Sequence, residues 1–135
     1  MTTKEYLRQI RTVDKRIDDK LEEVERLQSL RERMTIIMSD MPRGSNGEDR
    51  INTITCRIWA LEDEINAEID RLVDLKTEAR RRIEAIQDDR YKTLLSAKYL
   101  CYQTWEKIAE GMGFEDVRNV YYLHGRALQA FRITA

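Results

Sequence analysis

The sequence predicts an all-α protein, and three observations carry that prediction. Its 135 residues include one proline and five glycines, so residues that break regular structure are scarce. Charged side chains make up 36% of the chain, and Leu, Ile, Arg and Glu are abundant, as in long helices. Apolar residues recur at steps of three and four, the helical period, in two stretches of about forty residues each. The predicted architecture is a long antiparallel helical hairpin, coiled-coil-like, over residues 1–88. A C-terminal three-helix helix-turn-helix module follows over residues 89–135.

The first helix is predicted over residues 4–39. Tyr6, Ile10, Val13, Ile17, Leu21, Val24, Leu27, Met34 and Met38 hold one face. Acids and bases between them suit a solvated face with pairs four apart. By heptad counting Lys20 falls on the seam, where a single polar residue fixes register at some cost in stability. Pro42-Arg-Gly-Ser-Asn-Gly47 then breaks the helix. A second helix is predicted over residues 49–88, with Glu48 and Asp49 suited to its first turn. Its stripe is Ile51, Ile54, Ile58, Leu61, Ile65, Ile69, Leu72, Leu75, Ala79, Ile83 and Ile86, with Trp59 beside it. Two such stripes bury each other most economically as an antiparallel hairpin. A two-helix hairpin covers each stripe only in part, so surface near Leu21, Leu27, Leu30, Ile37 and Trp59 predicts self-association. Arg80-Arg81-Arg82 is the densest basic run, read as a solvated helix face, with a phosphate contact as the alternative.

The third helix is predicted over residues 89–102, with Leu94, Leu95, Tyr99 and Leu100 inward. Thr104 is a good N-cap for a short helix, because its hydroxyl accepts an orphan backbone N–H. Trp105, Ile108, Ala109 and Met112 have core spacing, and Ala109 is small where two helices meet closely. Gly113 suits the left-handed position that ends a helix. The last helix, from Glu115 or Asp116 to Arg132, buries Val120, Leu123, Ala127, Leu128 and Phe131. That leaves Arg118, Asn119, Tyr121, Tyr122, Gly125, Arg126 and Gln129 facing outward. Arg and Asn are the types that read guanine and adenine edges in a major groove. Helix, capped short helix, glycine turn and helix is the layout of a helix-turn-helix DNA reader.

The bulk numbers narrow the classes. Net charge is −1, with a balance of −4 over residues 40–90 and +2 over residues 91–135. A module of +2 binds DNA weakly as a single copy, because phosphate neutralisation supplies most non-specific affinity. Cys56 and Cys101 have no His or Cys neighbours at metal-ligand spacing and read as free buried thiols. No stretch approaches the ~18 apolar residues of a membrane span, and the first residues have no apolar targeting core. His124, the one histidine, is read as packing or as a phosphate hydrogen bond. No paired carboxylates, nucleophile-base set, phosphate loop or metal cluster falls on one face, so no enzyme, cofactor or metal is expected.

Thr104-Trp-Glu-Lys-Ile-Ala-Glu, Met112-Gly113 and Leu123-His-Gly-Arg-Ala-Leu128 resemble the C-terminal DNA-binding module of bacterial sigma-70 factors, region 4. The likeness covers residues 88–131. The whole chain is similar to small phage and prophage proteins of Gram-positive hosts, compared with late-gene activators of the ArpU and RinA type. The resemblance implies that Arg118, Asn119, Tyr121 and Tyr122 face bases. It also implies that Arg126 lies near the DNA backbone and that Thr104 and Trp105 make phosphate contacts. The chain departs from the sigma pattern between Gly113 and Val120, which is one residue longer, and Glu115 replaces the usual Ser or Thr cap. The implied function is a phage-type transcriptional regulator in the cytoplasm of a bacterial host. Its partners would be double-stranded DNA, RNA polymerase and further copies of itself, a dimer being favoured. Two alternatives compete: a coiled-coil interaction protein that acts on RNA polymerase or another protein without reading DNA, and a small terminase-like subunit that recognises DNA for packaging.

Overall fold

A computed structural model describes residues 1–39 and 45–131 of the chain. Among the described residues every regular element is helical: α1 (Thr3–Ser39), α2 (Ser45–Glu84), α3 (Asp89–Leu95), α4 (Trp105–Gly111) and α5 (Val117–Ala130). A π-helical turn, Ser96–Leu100, continues α3. The all-α prediction holds, with the long N-terminal hairpin and the three C-terminal helices as described. Pro42 to Gly44 of the expected turn, and Arg132 at the expected end of the last helix, lie outside the described residues. Ser45 to Gly47 already belong to α2.

The chain packs as two compact units. One is Asp14–Arg71; the other joins Met1–Val13 to Leu72–Ala135. This division by packing differs from a boundary at residue 88, because both long helices contribute to both units. It also redistributes charge. The unit holding the C-terminal helices carries fourteen basic and ten acidic side chains, a balance of +4, and the other carries ten and fifteen, a balance of −5.

The Asp14–Arg71 unit is a two-helix seam of period 3.5. Ile17 and Val24 of α1 and Ile58, Leu61 and Ile65 of α2 are buried. Lys20 takes the intervening seam position, as heptad counting predicts, with its Nζ 3.7 Å from both Glu64 Oε2 and Glu68 Oε1. Two stripe assignments are corrected here. Leu21 is 48% and Ile69 is 40% exposed, while their neighbours Lys20 and Glu68 turn toward the seam. A stripe of period 3.6 drifts off the partner over forty residues; a supercoiled pair keeps period 3.5 and takes whatever residue falls there. A second polar layer joins Arg31 Nη1, which donates to Thr55 Oγ1 at 3.3 Å.

The other unit has a continuous core. Tyr6, Leu7 and Ile10 from the start of α1 and Ala79, Ile83 and Ile86 from the end of α2 pack with Leu94, Leu95, Tyr99, Ile108, Ala109, Val120, Leu123, Ala127 and Phe131. Arg82, read as solvated, is instead drawn inward: its Nη2 lies 2.6 Å from Glu78 Oε1, and its guanidinium sits 5.5 Å over the Tyr6 ring. α2 ends at Glu84, four residues earlier than expected from sequence. Asp88 then caps α3, its Oδ1 accepting from Arg90 N–H at 2.9 Å. The predicted third helix widens midway, with Cys101 N–H donating to Ser96 O at 3.0 Å across five residues. Cys56 and Cys101 are free as expected but exposed rather than buried. Cys56 lies off the seam, and Cys101 follows the wide turn.

Candidate nucleic-acid interface

α4 and α5 form the helical corner that the spacing predicted. Thr104 is extended and caps α4, its Oγ1 accepting from Lys107 N–H at 3.2 Å. Gly113 takes φ +78. Its N–H donates to Glu110 O at 3.2 Å and Phe114 N–H donates to Ala109 O at 2.9 Å, the Schellman pattern of a glycine-terminated helix. The corner therefore turns on one residue type with no Cβ to oppose a left-handed backbone.

The cap of α5 corrects the reading that placed Glu115 there. Asp116 is the capping residue, and its Oδ1 accepts from Arg118 N–H at 2.9 Å. The same carboxylate grips the Arg118 side chain: Oδ2 accepts from Nε at 2.9 Å and from Nη2 at 2.7 Å. These bonds hold the Asp116 carboxyl below the usual carboxylate range. One edge of the guanidinium is thereby occupied, and the side chain is 87% exposed. A free Nη1–Nη2 edge of an arginine spans O6 and N7 of a guanine.

Val120, Leu123 and Ala127 are buried as predicted, and Leu128 is half-buried. His124 joins the core, 8% exposed, with Nε2 2.7 Å from Tyr99 Oη. Burial first, then Lys4, Lys98 and Arg8, hold its pKa down to about 4. It is therefore neutral at pH 7, and the packing alternative of the sequence reading applies. Arg118, Asn119, Tyr121, Tyr122, Gly125, Arg126 and Gln129 are exposed, as expected. Arg126 folds back on Tyr122, donating from Nη2 to Oη at 2.7 Å with its guanidinium 4.6 Å from the ring centroid.

Gly125 stands in the middle of this face. Among the described residues a Cβ built there meets nothing within 4 Å, so none of them requires glycine. Glycine in a helix interior costs about 1 kcal/mol relative to alanine. A position left bare at that cost, on an exposed face between Tyr121 and Gln129, is suited to close approach by an outside backbone.

Thr104 is exposed, but its hydroxyl is committed to the cap. Trp105 is a half-buried hub rather than a free contact. It meets Tyr121 edge-on at 5.4 Å and His124 at 4.7 Å, and Lys98 Nζ lies 4.3 Å over its ring. The sequence reading missed a set of cations beside this hub. Lys4, Arg8 and Arg11 of α1 line, with Lys98, Tyr99, Tyr102 and Trp105, a cavity of about 300 Å³. Their spacing, i, i+4 and i+7 on one helix, was visible as a signal. Its meaning was not, because the start of α1 was assigned to the hairpin. Compared with known families, with curated proteins and with solved structures, the chain matches none.

Proposed function

We propose that the chain is a phage-type DNA-binding transcriptional regulator that reads a promoter or operator with α5 in the major groove. The observation that carries this reading is the bare face of α5. It presents Arg118, Asn119, two tyrosines and a glycine for which no described residue gives a steric reason. Residue types that recognise base edges thus surround a position that admits close approach. The likeness to sigma-70 region 4 supports the same reading, as does the +4 balance of the surrounding unit.

The Asp14–Arg71 hairpin supports self-association. Trp59 is 61% exposed on it, and Leu21 and Ile69 lie outside the seam. Two readers held in one dimer raise affinity through effective concentration, which offsets the modest charge of a single copy. RNA polymerase as a further partner belongs to the same proposal.

Selection from random duplexes with the intact protein tests the reading. A motif should be enriched, and Arg118→Ala should weaken binding to that motif by about 1–3 kcal/mol while relaxing preference at one position. Sedimentation in the same buffer gives the copy number. Enrichment of no motif removes sequence reading, and a single copy at micromolar concentration removes the dimer.

A further inference from the structure

We propose that the start of α1 is a clamp for the DNA backbone, with Lys4, Arg8, Arg11 and Lys98 gripping phosphates beside the site that α5 reads. The inference rests on the reading of α5 as a DNA reader and adds a second contact surface to it.

Convergence of charge is the first support. Lys4, Arg8 and Arg11 lie on one face of α1, and Lys98 meets them from the π-helical turn around the same cavity. Arg16, Lys20, Arg26 and Arg57 of the other unit each pair with an acid, whereas these four converge on one cavity. Burial pushes the Lys98 ammonium down, Arg11 and Arg8 add to it, and Glu106 opposes. A group in that position gains from a bound anion.

Backbone geometry points to the same place. The one π-helical turn among the described residues carries Lys98 and Tyr99. Tyr102, which lines the same cavity, has φ +56, the one positive φ of a non-glycine residue among the described residues. Wide turns and left-handed aromatic residues are unfavourable locally and cluster where function holds them. Here both position side chains around the cations: Arg11 and Lys76 lie 5.6 and 5.1 Å over the Tyr102 ring.

Continuity with the reader completes the case. Trp105 holds Lys98 at 4.3 Å on its ring and Tyr121 of α5 at 5.4 Å. The cation and the reader's aromatic are therefore at most about 10 Å apart, less than the ~12 Å width of a major groove. A helix seated in the groove places flanking phosphates within reach of such a cation. Lys4, Arg8 and Arg11 are exposed and open to them.

The test measures affinity against salt for two duplexes, the selected motif and a random sequence. It uses the intact protein, Lys4→Gln with Arg8→Gln, Arg8→Gln alone, and the charge-keeping Arg8→Lys. Each cation removed should lower the slope of log affinity against log salt by about 0.9, equally on both duplexes, with the preferred motif unchanged. Arg8→Lys should keep the slope, and circular dichroism should show every variant folded. An unchanged slope in the double variant, with the motif still bound, overturns the clamp and leaves the reader standing. Slopes that fall on random duplex, with no motif enriched by the intact protein, uphold the phosphate contacts and remove sequence reading by α5. Thermal stabilisation by pyrophosphate that depends on Lys4 and Arg8, with the DNA slope unchanged, overturns the clamp in favour of a free anion. No duplex binding by the intact protein overturns both.

Discussion

Acidification should destabilise this protein through His124. In the folded chain its pKa is held down to about 4, against 6.5 for an unperturbed imidazole. The unfolded chain therefore takes up this proton first as pH falls. The folded-state contribution is present in full above 6.5, is lost as pH falls toward 4, and changes no further below that. The interval sets a ceiling of about 3 kcal/mol, of which about 2 kcal/mol is lost between pH 7 and about pH 4.5. Asp88 and Asp116 are held below their ordinary value of 3.8 by Arg90 and Arg118, so their contributions are lost mainly at lower pH. Urea unfolding, followed by circular dichroism at the two pH values, reads the loss directly. His124→Gln keeps an amide to meet the Tyr99 hydroxyl but does not titrate in this window. It should start less stable at pH 7 and lose about 2 kcal/mol less than the parent on acidification. Equal losses in the two proteins would mean that His124 is not held neutral by its burial and by the cations beside it, and the argument would fail.

Other substitutions test the packing and the face. Lys20→Leu with Glu68→Leu replaces a polar seam layer by apolar side chains and should raise stability to urea by about 1–3 kcal/mol; a loss would show the layer to be net stabilising. Gly113→Ala should cost about 1–2 kcal/mol in thermal unfolding from backbone strain alone, because no described residue lies within 4 Å of its Cβ; no cost would place the turn in another conformation. Gly125→Ala should stabilise the free protein by about 0.5–1 kcal/mol while weakening its hold on the selected duplex, and unchanged binding would detach Gly125 from the interface.

Local chemistry made much of this legible. Thr104 and Gly113 announce the corner because an N-cap hydroxyl and a left-handed glycine are demands of a few neighbouring backbone atoms. The outward set on α5 followed from the inward one, since a helix fixes both at once. What the sequence hid depends on distance. Tyr6 packs at 5.9 Å from Phe131, a residue over one hundred positions away, and no local pattern announces that pairing. So the start of α1 was read as hairpin, and its cations were given no separate role. His124 was left between packing and a phosphate hydrogen bond for a related reason: whether an imidazole is buried depends on Tyr99 and Trp105 from other elements. The displacement of Leu21 and Ile69 has a different origin. Both periods suit the first turns of each helix, and only the partner helix selects 3.5 over 3.6.

Under the proposed function, the separation of charge would give the two units different tasks. A balance of −5 on the Asp14–Arg71 unit repels a polyanion, and +4 on the other attracts it. If the proposed function holds, duplex DNA would be steered to the unit that carries α5 and the start of α1. Were the acidic side chains spread evenly, the whole molecule would be near neutral everywhere and the encounter would be undirected. On the same proposal, a modest attraction per copy would keep binding to random sequence weak and leave discrimination to base contacts. Pairing two copies would then restore affinity without adding non-specific charge to either copy. On this argument, raising the charge of the reader unit further would tighten binding to random and selected duplexes alike and so would narrow the gap between them.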